Sequence, residues 1–149
     1  MVKDHYRSSR TSDDLVFGQI TFSKGVWSGK VVFAPVGRKV EIYIYVRGNS
    51  GNDLSERHRN FFREAENRYP VMASHAAQKI VKRYPYYTEN FTPARVWEEF
   101  ALERIFIEDN QGKMLLTLSF RSLTEMSCCP SFTFRIKEPW KVETLNTRN

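Results

Sequence analysis

An α+β fold is predicted by three features of the sequence: a strictly alternating run at residues 39–47, two helical stretches in the middle of the chain, and a second set of alternating runs toward its end. In Lys39-Val-Glu-Ile-Tyr-Ile-Tyr-Val-Arg47, Val40, Ile42, Ile44 and Val46 fall on one face of an extended strand, and Glu41, Tyr43, Tyr45 and Arg47 on the other. One face is then buried and the other wet, the pattern of an antiparallel sheet covered on one side. The helical stretch that follows supplies the cover. The expected layout is an antiparallel sheet of about six strands, a three-strand meander before two to three helices and another after them, with the helices packed on one face.

Residues 1–14 carry little apolar material beyond Val2 and Tyr6 and show no period, so a flexible N-terminal arm is expected there and a single α+β domain over residues 15–149. Leu15 to Phe22 reads as a first strand, with Val16, Ile20 and Phe22 on one face and Gly18 making room among them. Ser23-Lys24-Gly25 turns the chain into a second strand, Trp27 to Phe33, whose Trp27, Val31 and Phe33 share a face around Gly29. Pro35-Val36-Gly37 turns it again into the third.

After the loop at 48–52, Asp53 stands three residues before Glu56, a capping arrangement that starts a helix. Leu54, Phe61, Phe62, Ala65 and Tyr69 recur at helical spacing, and Pro70 is expected to end or kink that helix. A second helix follows from Val71 to Tyr84 with Ala73, Ala76, Ile80 and Tyr84 along its stripe, until Pro85 stops it. Thr92-Pro93 opens a short third helix through about Phe100, with Val96 and Trp97 facing inward. Leu102 to Glu108 and Lys113 to Arg121 form a hairpin around Asp109-Asn-Gln-Gly112, and Phe132, Phe134 and Ile136 mark a last strand.

At 149 residues with 41% hydrophobic content, the chain is long enough for one core and too apolar for disorder. It holds no apolar run of about 18 residues and no leader-like start, so a cytoplasmic protein without a membrane span is expected. Cys128 and Cys129 are adjacent, which disfavours a structural disulfide and fits no zinc spacing, and no cofactor is implied. The net charge of +6 is uneven: residues 1–84 hold 15 Lys/Arg against 8 Asp/Glu, and residues 85–149 hold 8 against 9.

Catalytic groups are sparse. Glu98, Glu99 and Glu103 gather in sequence, but no apolar residues enclose them, which makes them a solvated acidic face. Ser74 adjoins His75, yet neighbouring helical positions point about 100° apart and make no dyad. The chain therefore reads as a non-enzyme with no evident small-molecule substrate. Two surfaces suit binding. Tyr43 and Tyr45 with Arg47 form one, where aromatics framed by cations can stack single-stranded nucleic acid or simply pair across strands. Arg57, Arg59 and Arg63 on the first helix form the other, since arginine pairs with carboxylate and phosphate alike.

Phe17-Gly-Gln-Ile20, Trp27-Ser-Gly29 and Val40-Glu-Ile42, ahead of a helical segment and a second run of strands, resemble a group of small uncharacterised bacterial single-domain proteins. Several of these look like immunity proteins encoded beside polymorphic or contact-dependent toxins. The resemblance covers about the first half of the chain. It implies a cytoplasmic toxin inhibitor that works by tight binding to a cognate toxin, a protein partner, with no chemistry of its own. A basic nucleic-acid-binding module using the arginine-rich helices and the Tyr43/Tyr45 strand face is the alternative expectation.

Overall fold

Alternation along the strands and helical periodicity between them produce one open sheet with a long helix laid across it. The computed structural model describes residues 10–35, 38–47, 54–84, 90–110, 112–124, 128–137 and 141–145. In order these form β1 (Arg10–Asp14), β2 (Gly18–Ser23), β3 (Val26–Phe33), β4 (Val40–Arg47), α1 (Glu56–Arg83), a 3₁₀ turn (Pro93–Arg95), α2 (Val96–Glu99), β5 (Phe100–Asn110), β6 (Lys113–Ser122), β7 (Ser131–Lys137) and β8 (Lys141–Thr144). The strands lie in one sheet in sequence order, β1 to β8. The α+β class and the covered face are as the sequence predicts. Residues 1–9, the loop at 48–52, Asp53 and Pro85 lie outside the described residues, as do Val36 and Gly37 of the predicted turn.

Four details differ from the sequence reading. The predicted arm contributes β1, which pairs antiparallel with β2 from Arg10↔Phe22 to Asp14↔Gly18. An edge strand exposed on both faces needs no apolar residue. Its pairing comes from backbone hydrogen bonds and from the turn, where the Asp14 carboxylate accepts from the Val16 and Phe17 N–H groups at 2.9 and 3.0 Å. Leu15, Val16 and Phe17 belong to that turn rather than to a strand. The short β8, paired with β7, is likewise an edge strand beyond the expected set, and the sheet has eight strands instead of about six.

The second difference is the pairing of β4 with β5, which is parallel, from Tyr43↔Arg104 to Arg47↔Glu108. A parallel neighbour requires a long crossover, and the segment carrying α1 provides it. The two antiparallel halves thus join through one βαβ step at the sheet centre. Third, α1 runs unbroken through Pro70. Loss of a helical N–H there costs about 3 kcal/mol. Burial of Met72 and Ile80, both 0% exposed, recovers about 1.5–3 kcal/mol for each, and Ala73, Ala76 and Ala77 add to it. Fourth, the third helix shrinks to a 3₁₀ turn and a single turn of α2, and β5 begins at Phe100.

The covered face collects Trp27, Val31, Phe33, Ile42, Ile44, Val46, Ile105, Ile107, Leu116, Leu118, Phe132 and Phe134, all buried. Opposite them lie Phe61, Phe62, Ala65, Met72, Ala76 and Ile80 of α1. Gly29 sits inside this face because a side chain there would collide with β2: a Cβ would lie 2.8 Å from the Gln19 carbonyl oxygen and 3.2 Å from Ile20 Cγ2. Gly29→Ala is therefore expected to destabilise the protein by about 1–3 kcal/mol, the cost of overpacking. At an open strand site the same change would be neutral or stabilising, so an unaltered denaturant midpoint would refute the close approach.

Candidate functional site

The side of the sheet away from α1 carries no helix among the described residues, and strand register organises it into rows. The longest crosses seven strands: Thr11, Thr21, Ser28, Tyr45, Phe106, Thr117 and Thr133 are successive register partners. At its centre Tyr45 and Phe106 stack with ring centroids 4.9 Å apart and planes 14° from parallel. Toward the edges hydroxyls meet, Thr11 with Thr21 at 3.3 Å and Thr117 with Thr133 at 2.8 Å. The adjacent row runs Lys30, Tyr43, Arg104, Ser119 and Ser131. Here the Lys30 ammonium lies 5.3 Å from the Tyr43 ring centroid, a cation–π contact, and Ser131 Oγ donates to Ser119 Oγ at 3.1 Å. On the other side Arg47, Glu108, Leu115 and Arg135 make a third row.

The surface is an aromatic centre in a frame of arginines. Tyr43 is 43% and Phe106 37% exposed, on neighbouring central strands. Arg47, Arg104 and Lys30 surround them and are exposed. Two ion pairs on this face, Lys30–Glu41 at 3.5 Å and Arg104–Glu103 at 3.6 Å, are solvent-washed and hold their partners weakly. Phe106 and Arg104 were legible in the alternation of Arg104-Ile-Phe-Ile-Glu108, which places positions 104, 106 and 108 outward. Their juxtaposition with Tyr43 and Tyr45 depends on the parallel pairing that sequence did not disclose.

Tyr43, Tyr45 and Arg47 thus share one surface, and Arg57, Arg59 and Arg63 stand apart on the helix covering the opposite face. Two of those arginines fasten the helix to the sheet. Arg57 donates to Asp109 at 2.7 Å and to the Gly112 carbonyl in the β5–β6 turn. Arg59 donates to Asp14 and Glu56, each at 2.8 Å. Arg63 is exposed.

The residues with catalytic potential are spread out. Ser74 and His75 are both exposed on α1. Glu98 pairs with Arg95 at 3.0 Å, and Glu103 lies on β5 beyond the end of α2, so the three acids do not share one helix. Both cysteines are free thiols. Among the described residues no three His, Cys, Asp or Glu side chains gather as a metal set, and no helix is long and apolar enough to cross a membrane.

His58 has a structural role. It occupies the third position of α1, where its Nδ1 accepts from the Ser55 N–H at 3.2 Å while Ser55 Oγ receives the His58 N–H, a capping box with histidine in place of the usual acid. Burial pushes its pKa below the ordinary value of 6.5; Asp109 opposes this, and Arg57 and Arg59 reinforce it. Protonation of Nδ1 would abolish the acceptor beside a helix N-terminus, where positive charge is disfavoured. Below pH 6.5 the unfolded chain takes up a proton that the folded one resists, so stability is full above 6.5 and declines until pH has passed the folded value. Denaturant unfolding at pH 7.5 and pH 5 is expected to show this loss, and His58→Gln to flatten it; an equal loss in the variant would refute the assignment.

Comparison of the chain with protein-family models, with curated proteins and with solved structures gives no match.

Proposed function

We propose that this protein is a non-enzymatic binding protein that docks a protein partner on the open face of its sheet, most simply an immunity-type inhibitor holding its cognate toxin. The observation that carries this reading is the surface centred on Tyr43, Tyr45 and Phe106 and ringed by Arg47, Arg104 and Arg135. Tyr, Phe and Arg are the residue types enriched in protein interfaces, and interface energy concentrates on a few such side chains at the centre of a patch. The patch sits on central strands of a rigid sheet, so little ordering entropy is lost on docking. The frame sets Glu41, Glu103 and Glu108 among its cations, which suits a partner face of mixed charge.

The test is co-expression with the product of the adjacent gene, followed by calorimetric titration of the purified pair. Tyr43→Ala and Phe106→Ala are each expected to weaken the complex by about 30-fold or more, the cost of a central anchor, with the thermal midpoint little changed at these half-exposed positions. Full affinity in both variants, or no complex at micromolar concentration, would overturn the reading. Single-stranded nucleic acid is a second reading favoured by the cations beside the aromatics. It predicts oligonucleotide affinity falling steeply between 50 and 200 mM salt. The mutual stacking of Tyr45 and Phe106, and the seat of Lys30 over Tyr43, occupy ring faces that bases would need, which favours the protein partner.

A further inference from the structure

On the other side of the sheet, where the β3–β4 connection meets the middle of α1 and the 3₁₀ turn, a cleft of about 400 Å³ opens to solvent. Its walls are mostly apolar: Pro35, Pro70, Ala73 and Ala77, with Trp97 across from the helix. The spacing 70, 73, 74, 77 sets proline and small residues along one stripe of α1, so the helix recedes exactly where a longer side chain would fill the space. A narrower extension continues between Tyr69 and Trp97 toward Val40 and Phe100.

Three polar side chains stand at this apolar cleft, Arg38, Tyr69 and Ser74, and the first two suit a carboxylate. Arg38 lines both the cleft and its extension and is exposed, and among the described residues it forms no ion pair with a carboxylate. Tyr69 packs edge-on against Phe33 at 5.2 Å and lines the same space. Burial raises its phenol to about 12, against the opposing pull of the Arg38 charge, so the hydroxyl stays protonated and available as a donor. A cation, a neutral donor and an apolar floor together match an organic anion with a carboxylate at one end and an apolar body. The volume lies toward the low end of ligand sites, which span roughly 300–1,000 Å³, and admits an aromatic ring or a short acyl chain.

We propose that this cleft binds a small amphipathic carboxylate, its carboxylate on Arg38 and the Tyr69 hydroxyl and its apolar body against Pro70, Ala73 and Trp97. The site is separate from the open sheet face, and either can stand if the other fails.

The experiment is a titration of the full chain with phenylacetate and, separately, with the neutral phenylacetamide, followed by amide and indole NMR shifts. Phenylacetate is expected to saturate by about 10 mM, as suits a ligand of this size, with shifts confined to Ala73, Ala77, Ala94 and the Trp97 indole. Arg38→Gln should weaken it by at least about tenfold, the scale of a lost charge-assisted hydrogen bond, and erase its advantage over the amide. Ser74→Leu, an exposed substitution on the cleft wall, should block both probes without altering the unfolding transition. Absence of saturable shifts, shifts located elsewhere, equal binding of acid and amide, or undiminished affinity in Arg38→Gln would each overturn the proposal.

Discussion

Phe62→Ala is expected to lower the unfolding free energy by about 3–5 kcal/mol, the range for removing a fully buried phenylalanine from a core that cannot collapse around the hole. Phe62 is 2% exposed and is where three segments distant in sequence meet. Its ring lies 5.1 Å from that of Phe17 in the β1–β2 turn and 5.7 Å from that of Phe33 at the end of β3, and Phe33 continues the chain of rings to Tyr69. Truncation removes the apolar area and both aromatic contacts, one tilted and one edge-on, at once. A double-mutant cycle with Phe17→Ala should return a coupling of about 0.5–1.5 kcal/mol, since the two rings touch. Denaturant unfolding is the measurement. A loss below about 1.5 kcal/mol, less than deletion of a single buried leucine usually costs, would mean that α1 is not seated on β3 at this point.

Asp14→Ala should cost about 2–3 kcal/mol although it alters a residue near the chain start, because hydrogen bonds to a charged group are worth more than neutral ones and this carboxylate accepts several. Its side chain is 6% exposed and receives the Val16 and Phe17 N–H groups together with the Arg59 guanidinium at 2.8 Å. Removal strands the Phe17 N–H in a turn whose phenylalanine is buried, and frees Arg59 to its remaining partner Glu56. Burial alone would raise the Asp14 carboxyl, but the Arg59 hydrogen bond and the two backbone donors outweigh it, and its pKa falls below the ordinary 3.8. The stabilisation is therefore complete above about pH 4 and is lost as pH falls through the lowered folded value. Acid unfolding curves should be steeper for the parent than for Asp14→Ala. Parallel curves, or a stability loss under about 0.5 kcal/mol, would show residues 10–14 to be a free arm after all.

How far the sequence could be read depended on whether a residue's fate is set locally. Val40, Ile42, Ile44 and Val46 alternate with polar neighbours, and this alone places them inside and Tyr43 outside, because a strand has two faces and water takes one. The stripe of Phe61, Phe62, Ala65, Ala76 and Ile80 was equally plain. Pro70 misled because its local cost is real, and only the burial of Met72 and Ile80 beyond it shows that the helix continues. β1 was invisible because Arg-Thr-Ser-Asp-Asp carries no apolar signal; its strand character is conferred by a partner. Similarly, Asp53 and Glu56 suggested a cap, whereas Ser55 and His58 form one.

The binding surface divides along the same line. Sequence by itself determined the α+β class, the wet side of β4 and the tyrosines and arginine on it, since these follow from side-chain period and from the preference of apolar groups to leave water. Only the tertiary structure decided that β5 lies parallel beside β4, which brings Phe106 onto Tyr45 and Arg104 beside Tyr43, and that Arg57 and Arg59 are spent on holding the helix to the sheet. The reason is physical: pairing between strands separated by a long crossover is chosen by the packing of the whole helix on the whole sheet, a sum over many distant contacts that no short stretch of residues encodes.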